Sequence, residues 1–202
     1  MEKDSREITI LLHRWTAGDR LAEEELFRML MPDLKRIAGR CLSRDQQNYH
    51  KQKNYHKQRT ELVNDLYIKL AEHKNIDFVD RNHFFAICTI KIRRILIDEV
   101  RIGKLDLVDI EGLPEGLFGY HSKLELVLAV NDLLDELEKK SVQRCCVIVL
   151  RSYLGCGNKE TASLLGITEN VAEHEYYRAK KWLYERLGGE PPWQAASTTP
   201  NK

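Results

Sequence analysis

What these 202 residues lack narrows the possibilities first. No Cys-x-x-Cys pair occurs, and the five cysteines, Cys41, Cys88, Cys145, Cys146 and Cys156, are odd in number and fall mostly on apolar helical faces. They read as reduced core thiols rather than as a disulfide framework or a thiolate zinc site. Long apolar runs are missing too: stretches such as Cys145 to Leu150 fall far short of the roughly 20 residues a membrane-spanning helix needs. The opening Met-Glu-Lys-Asp-Ser-Arg-Glu has none of the apolar stretch of a signal peptide, so a cytoplasmic protein without membrane association is expected. The seven histidines are scattered, and no Ser-His-acid, metal-spaced or phosphate-loop pattern is present. The expectation is a protein that is not an enzyme and carries no cofactor and no metal. Strand signals are also wanting. Cys146-Val147-Ile148-Val149 is rich in β-branched residues, but its flanks continue at helical spacing without hairpin punctuation. The fold class is therefore all-α.

What is present is unevenly charged. Residues 1–101 hold 20 Lys/Arg against 16 Asp/Glu, and 102–202 hold 12 against 15, so the halves carry +4 and −3. Between 34 and 59 the bias sharpens, with Lys35, Arg36, Arg40, Arg44, Lys51, Lys53, Lys57 and Arg59 facing only Asp45. Such a segment suits a polyanion or is a solvated loop. Within it a tandem echo, Asn48-Tyr49-His50-Lys51-Gln52 and Asn54-Tyr55-His56-Lys57-Gln58, is too short for a repeat architecture and reads as local duplication.

Helical spacing runs from Ile8 through Leu11, Leu12 and Trp15, is interrupted at Gly18-Asp19, and resumes through Leu26, Leu30, Leu34 and Ile37, with Asp19 as a candidate cap. Pro32 either kinks this second run or starts a new helix. Further amphipathic stretches follow at Leu62–Leu70, His83–Arg101, Leu124–Leu137 and Gln143–Leu154. Glycines, Pro114 and acids between 102 and 123 read as a linker, and the tail after Gly188-Gly189 reads as disordered. The organisation expected is one helical domain over 1–101, a linker over 102–123, a second helical domain over 124–188 and a tail over 189–202.

Two segments carry recognition chemistry. Asn158 to Leu165 is a short amphipathic helix, Gly166-Ile167-Thr168 a turn with a left-handed glycine and a capping threonine, and Glu169 opens a second helix that reaches Arg178-Ala179-Lys180-Lys181. This helix-turn-helix pattern holds the second helix where it can enter a major groove. The helix from His83 to Arg101 buries Phe84, Ile87, Ile95 and Leu96 and presents Lys91, Arg93, Arg94 and Arg101, basic groups suited to phosphates or unstacked bases, although a solvated basic face gives the same pattern.

In order and spacing these elements resemble the bacterial RNA polymerase sigma factors of the extracytoplasmic-function type. Four segments carry the resemblance across about 8–187: Trp15-x-x-Gly18-Asp19-x-x-Ala22; Glu61 to Leu70; His83-Phe84-Phe85-Ala86 with Arg93-Arg94-Ile95-Leu96-Ile97-Asp98 and Arg101; and Glu160-Thr161-Ala162, Leu165-Gly166-Ile167 and Ala179 to Leu183. The resemblance implies partners in core RNA polymerase and promoter DNA, and admits an antagonist (anti-sigma) protein. It places Glu61, Asn64, Asp65, Tyr67, Ile68 and Lys69 on the polymerase clamp. It places Lys91, Arg93, Arg94, Asp98 and Arg101 at the minus-ten element. It places Lys159, Thr168, Asn170, Glu173, His174, Tyr177, Arg178 and Lys181 at the minus-thirty-five element. The chain departs from the family in its recognition helix, where Glu169, Glu173 and Glu175 precede the basic residues. A carboxylate repels phosphate, although it can accept from a cytosine amino group. The alternative is accordingly a polymerase-binding decoy that has lost minus-thirty-five reading.

Overall fold

A computed structural model describes residues 2–44, 55–72, 76–103 and 123–188. These form helices α1 (Glu2–Thr16), α2 (Arg20–Arg44), α3 (Tyr55–Ala71), α4 (Arg81–Arg101), α5 (Lys123–Lys140), α6 (Val142–Ile148), α7 (Asn158–Leu165) and α8 (Glu169–Arg186), with a π-helical turn, Val149–Tyr153, continuing α6. No strand occurs among the described residues. Most of the expected linker and the whole expected tail, 104–122 and 189–202, lie outside the described residues. So does the first copy of the tandem echo, and of the second copy only the backbone that opens α3 is described.

The break between α1 and α2 follows from Gly18 and Asp19. Gly18 takes a left-handed backbone, φ 93°, and Asp19 Oδ1 accepts from the amides of Leu21 and Ala22 at 3.0 and 3.2 Å. Arg14 clamps the other carboxylate oxygen through Nε and a terminal nitrogen at 2.9 and 2.7 Å. The amide of Ala22 first, and then Arg14, hold the Asp19 carboxyl below its usual range. Trp15 stacks on Phe78 at 5.5 Å and meets the edge of Phe27, so the Trp-x-x-Gly-Asp motif is a structural corner. Pro32 lies inside one continuous α2, which resolves the choice the sequence left open.

Helix α4 is the central element. Asp80 caps it by accepting from His83 N at 2.8 Å, and Phe84, Phe85, Cys88, Ile92, Ile95, Leu96 and Ile97 are all buried. A helix apolar around most of its circumference belongs in an interior. Accordingly α4 packs against α1 and α3 on one side and against α6, the π turn and α7 on the other. One continuous hydrophobic core results, running from Leu12, Leu26 and Leu66 through Phe84 and Leu96 to Leu134, Leu150 and Leu183. Each of these large side chains contributes on the order of 1.5–3 kcal/mol by leaving water.

In the C-terminal part, Ser141 caps α6 by accepting from Arg144 N, and the apolar run Cys145–Leu150 is buried throughout, which is why its β-branched residues form helix and not an exposed strand. Cys88, Cys145, Cys146 and Cys156 are buried thiols, and burial pushes Cys145 up to about 12.

Candidate nucleic-acid interface

Helix α7 ends in the turn the sequence predicts. Gly166 has φ 66° and ψ 29°, and Ile167 N donates to Ala162 O at 3.0 Å. Thr168 then caps α8, its Oγ1 accepting from Val171 N at 3.3 Å. Asn158 Nδ2 donates to Glu169 O at 2.9 Å and ties the two helix starts together. Ala172, Ala179 and Leu183 anchor the inner face of α8. Opposite them Asn170, Glu173, His174, Tyr177 and Arg178 are exposed and Lys181 is half-buried, at spacings of three and four residues that form one stripe. Lys159 and Thr168 are also exposed, beside the start of that stripe.

The acidic residues of α8 divide by environment. Glu175, only 12% exposed, accepts from Arg144 Nε at 2.6 Å and from Arg178 at 3.0 Å. The Arg144 hydrogen bond, acting against burial, lowers its pKa. Glu173 remains exposed but pairs with Arg151 at 2.7 Å. The Arg151 guanidinium in turn lies 3.9 Å over the Tyr176 ring. Both carboxylates are thus matched by arginines from α6 and the π turn, a pairing invisible along the chain because the partners lie 31 and 22 residues away.

The expected clamp-facing segment in α3 keeps an open face. Leu62, Val63, Leu66 and Leu70 are buried, whereas Glu61, Asn64, Tyr67 and Ile68 are exposed and Asp65 and Lys69 are half-buried. Ile68, half exposed, lines a groove of about 260 Å³ with Asp65, Lys69, Glu72, Ile95, Asp98, Glu99 and Ile102. Tyr67 is drawn toward α2, donating to Glu23 at 2.7 Å and packing its ring on Phe27.

On α4 the structure corrects one expectation. Arg94, Asp98 and Arg101 are exposed and Lys91 is half-buried, but Arg93, expected on the DNA-facing surface, is fully buried. One terminal nitrogen of Arg93 donates to Asn131 O at 3.2 Å and Asn131 Oδ1 at 2.5 Å; the other reaches Asp135 at 2.5 Å and Glu138 at 3.3 Å. Arg94 donates to both Glu138 oxygens at 3.0 Å. The sequence does hold a signal for this. Arg93 shares its helical face with Thr89, Ile90, Leu96 and Ile97, all buried, and an arginine centred in an apolar stripe needs interior partners. Burial also lowers the pKa of Lys91, helped by the neighbouring cations Arg94 and Lys69.

This is an all-helical architecture with a capped helix, turn and helix at one end and a basic central helix, the class of a DNA-directed transcription protein. The chain matches the family of ECF sigma factors over residues 5–189 and belongs to it. Its role accordingly lies in transcription initiation. Neither the search of curated proteins nor that of solved structures found a match. No helix among the described residues is long and apolar enough to cross a membrane.

Proposed function

We propose that the chain binds core RNA polymerase and directs initiation by recognising promoter DNA and favouring strand separation. The observation that carries this reading is the open face of α3. A buried row, Leu62, Leu66 and Leu70, fixes the helix, while Ile68 and Asp65 stay at the rim of a groove shared with the end of α4. A half-exposed isoleucine beside charged residues suits a partner helix, here the polymerase clamp. Residues 1–101 then supply clamp binding through Glu61, Asn64, Asp65, Tyr67, Ile68 and Lys69, and minus-ten contact through Lys91, Arg94, Asp98 and Arg101. Residues 124–188 supply minus-thirty-five contact through the α8 stripe with Lys159 and Thr168.

The decoy alternative drew its motive from acidic residues facing phosphate. Glu175 points into an arginine pair, and Glu173 carries Arg151 beside it, so that motive weakens. Core-polymerase binding and run-off transcription by the full chain test the proposal together. Ile68→Asp is expected to abolish both. Arg94→Ala with Arg101→Ala is expected to leave core binding within about twofold while reducing strand opening, read by permanganate reactivity of unpaired thymines, by tenfold or more, on the scale of two lost phosphate contacts. Equal loss in both assays refutes the role of α4, and core binding without any promoter-specific transcript restores the decoy.

A further inference from the structure

Between Cys145 and Leu154 every residue except Arg151 is buried, so this helical segment sends a single side chain to the surface. Its guanidinium lies 3.9 Å over the Tyr176 ring, and Nη1 donates to Glu173 Oε2 at 2.7 Å. The Tyr176 hydroxyl is in turn 3.2 Å from the Oγ of Ser152, the residue after Arg151, and the Lys180 amine lies over the same ring at 5.5 Å. Arg151 therefore spans Glu173 and Tyr176, one turn apart on α8. Exposure within this group is unequal: the Arg151 side chain is 20% exposed and that of Glu173 60%. The cation is recessed and the carboxylate stands forward on the α8 stripe, with only Oε2 engaged among the described residues. Glu173 also lies in the second turn of α8, within the part of a recognition helix that reaches base edges.

A glutamate on an exposed helix ordinarily samples several rotamers, and beside DNA its charge repels phosphate. Arg151 lowers both costs, fixing the side chain from behind and offsetting its charge. What the fixed carboxylate can take is then set by the bases. A carboxylate only accepts, guanine and thymine present acceptors to the major groove, and the donors there are cytosine N4 and adenine N6. Adenine places the acceptor N7 beside its donor, where it meets the second carboxylate oxygen with like polarity; cytosine's own edge carries no such acceptor. We propose that Glu173 selects a cytosine in the upstream promoter element and that Arg151 is the positioning residue that holds it there. This rests on the reading of α8 as the groove-facing helix and adds the base that helix selects.

The full chain, bound to core RNA polymerase, is incubated with duplex DNA carrying a randomised stretch long enough for both promoter elements, and the retained duplexes are sequenced. The parent is expected to enrich an upstream motif in which one position is fixed as C. In Glu173→Gln that position is expected to change to A, because a glutamine amide both accepts from N6 and donates to N7, while the other positions stay as they are. Arg151→Met removes the counter-charge and is expected to weaken the preference for C by about tenfold, the scale of one lost base contact, with core binding held within about twofold in both variants. A motif identical in the parent and in Glu173→Gln overturns the proposal and leaves the sigma reading standing. Uniform loss of binding to all sequences in Arg151→Met, with the preference for C intact, makes that arginine a phosphate contact and overturns its positioning role. Retained core binding by a parent that enriches no upstream motif overturns minus-thirty-five reading by α8, and this proposal with it.

Discussion

The turn at Gly166 offers a test in which two costs of one substitution separate. Gly166 holds φ at 66°, so Gly166→Ala incurs about 1–2 kcal/mol of left-handed backbone strain in any state where α7 and α8 are folded. The new methyl group also meets the side-chain amide of Asn82 at the start of α4, and overpacking of this kind costs on the order of 1–3 kcal/mol. The first cost is local to the turn. The second exists only while the turn rests on α4. Gly166→Ala alone should therefore lower unfolding free energy by about 2–5 kcal/mol, and Asn82→Ala in the same chain should recover at least about 1 kcal/mol by vacating the contact. Urea denaturation of the parent, both single variants and the double variant closes the cycle. Should the two single effects add to within about 0.5 kcal/mol, the Asn82 side chain does not press on the Gly166 turn in solution and this contact is refuted.

Other expectations follow from single contacts. Glu173→Lys frees Arg151 and reverses a charge on the α8 stripe, so nonspecific duplex binding should strengthen and the slope of log affinity against log salt should steepen by about one to two; an unchanged slope places this surface away from phosphate. Glu175 has a lowered folded-state pKa, so its pairing with Arg144 stabilises fully above the unfolded value near 4.5 and the contribution disappears as pH falls through the lower folded value. Glu175→Gln should cost about 1–3 kcal/mol at neutral pH, with the gap to the parent narrowing below pH 4.5; a gap constant down to pH 3 contradicts the charged pairing. Thr168→Ala should cost about 1 kcal/mol by removing the α8 cap, measured by thermal unfolding, while Thr168→Asp should restore most of it.

Local structure was legible in the chain because its determinants are local. The Asp19 and Thr168 caps, the left-handed Gly18 and Gly166 and the helical spacing of α3 and α8 all depend on residues within a few positions of one another. The exposed stripe of α8 was readable on the same ground, since Ala172, Ala179 and Leu183 mark its inner face and so fix the outer one. Glu175 was misjudged as part of that outward charge because its partner Arg144 lies in another helix.

Tertiary structure alone decided which face of α4 is available. Along the sequence Lys91, Arg93, Arg94 and Arg101 are four cations on one amphipathic helix, and the apolar neighbours of Arg93 hint that it turns inward without naming what it meets. Folding distinguishes them, because α4 is covered on two sides and the second cover brings Asn131, Asp135 and Glu138 to Arg93 from 38 to 45 residues away. A cation's role depends on where its counter-charge sits. Helical periodicity says which residues share a side of a helix, but whether that side meets solvent, DNA or another helix is set by packing between segments far apart in the chain.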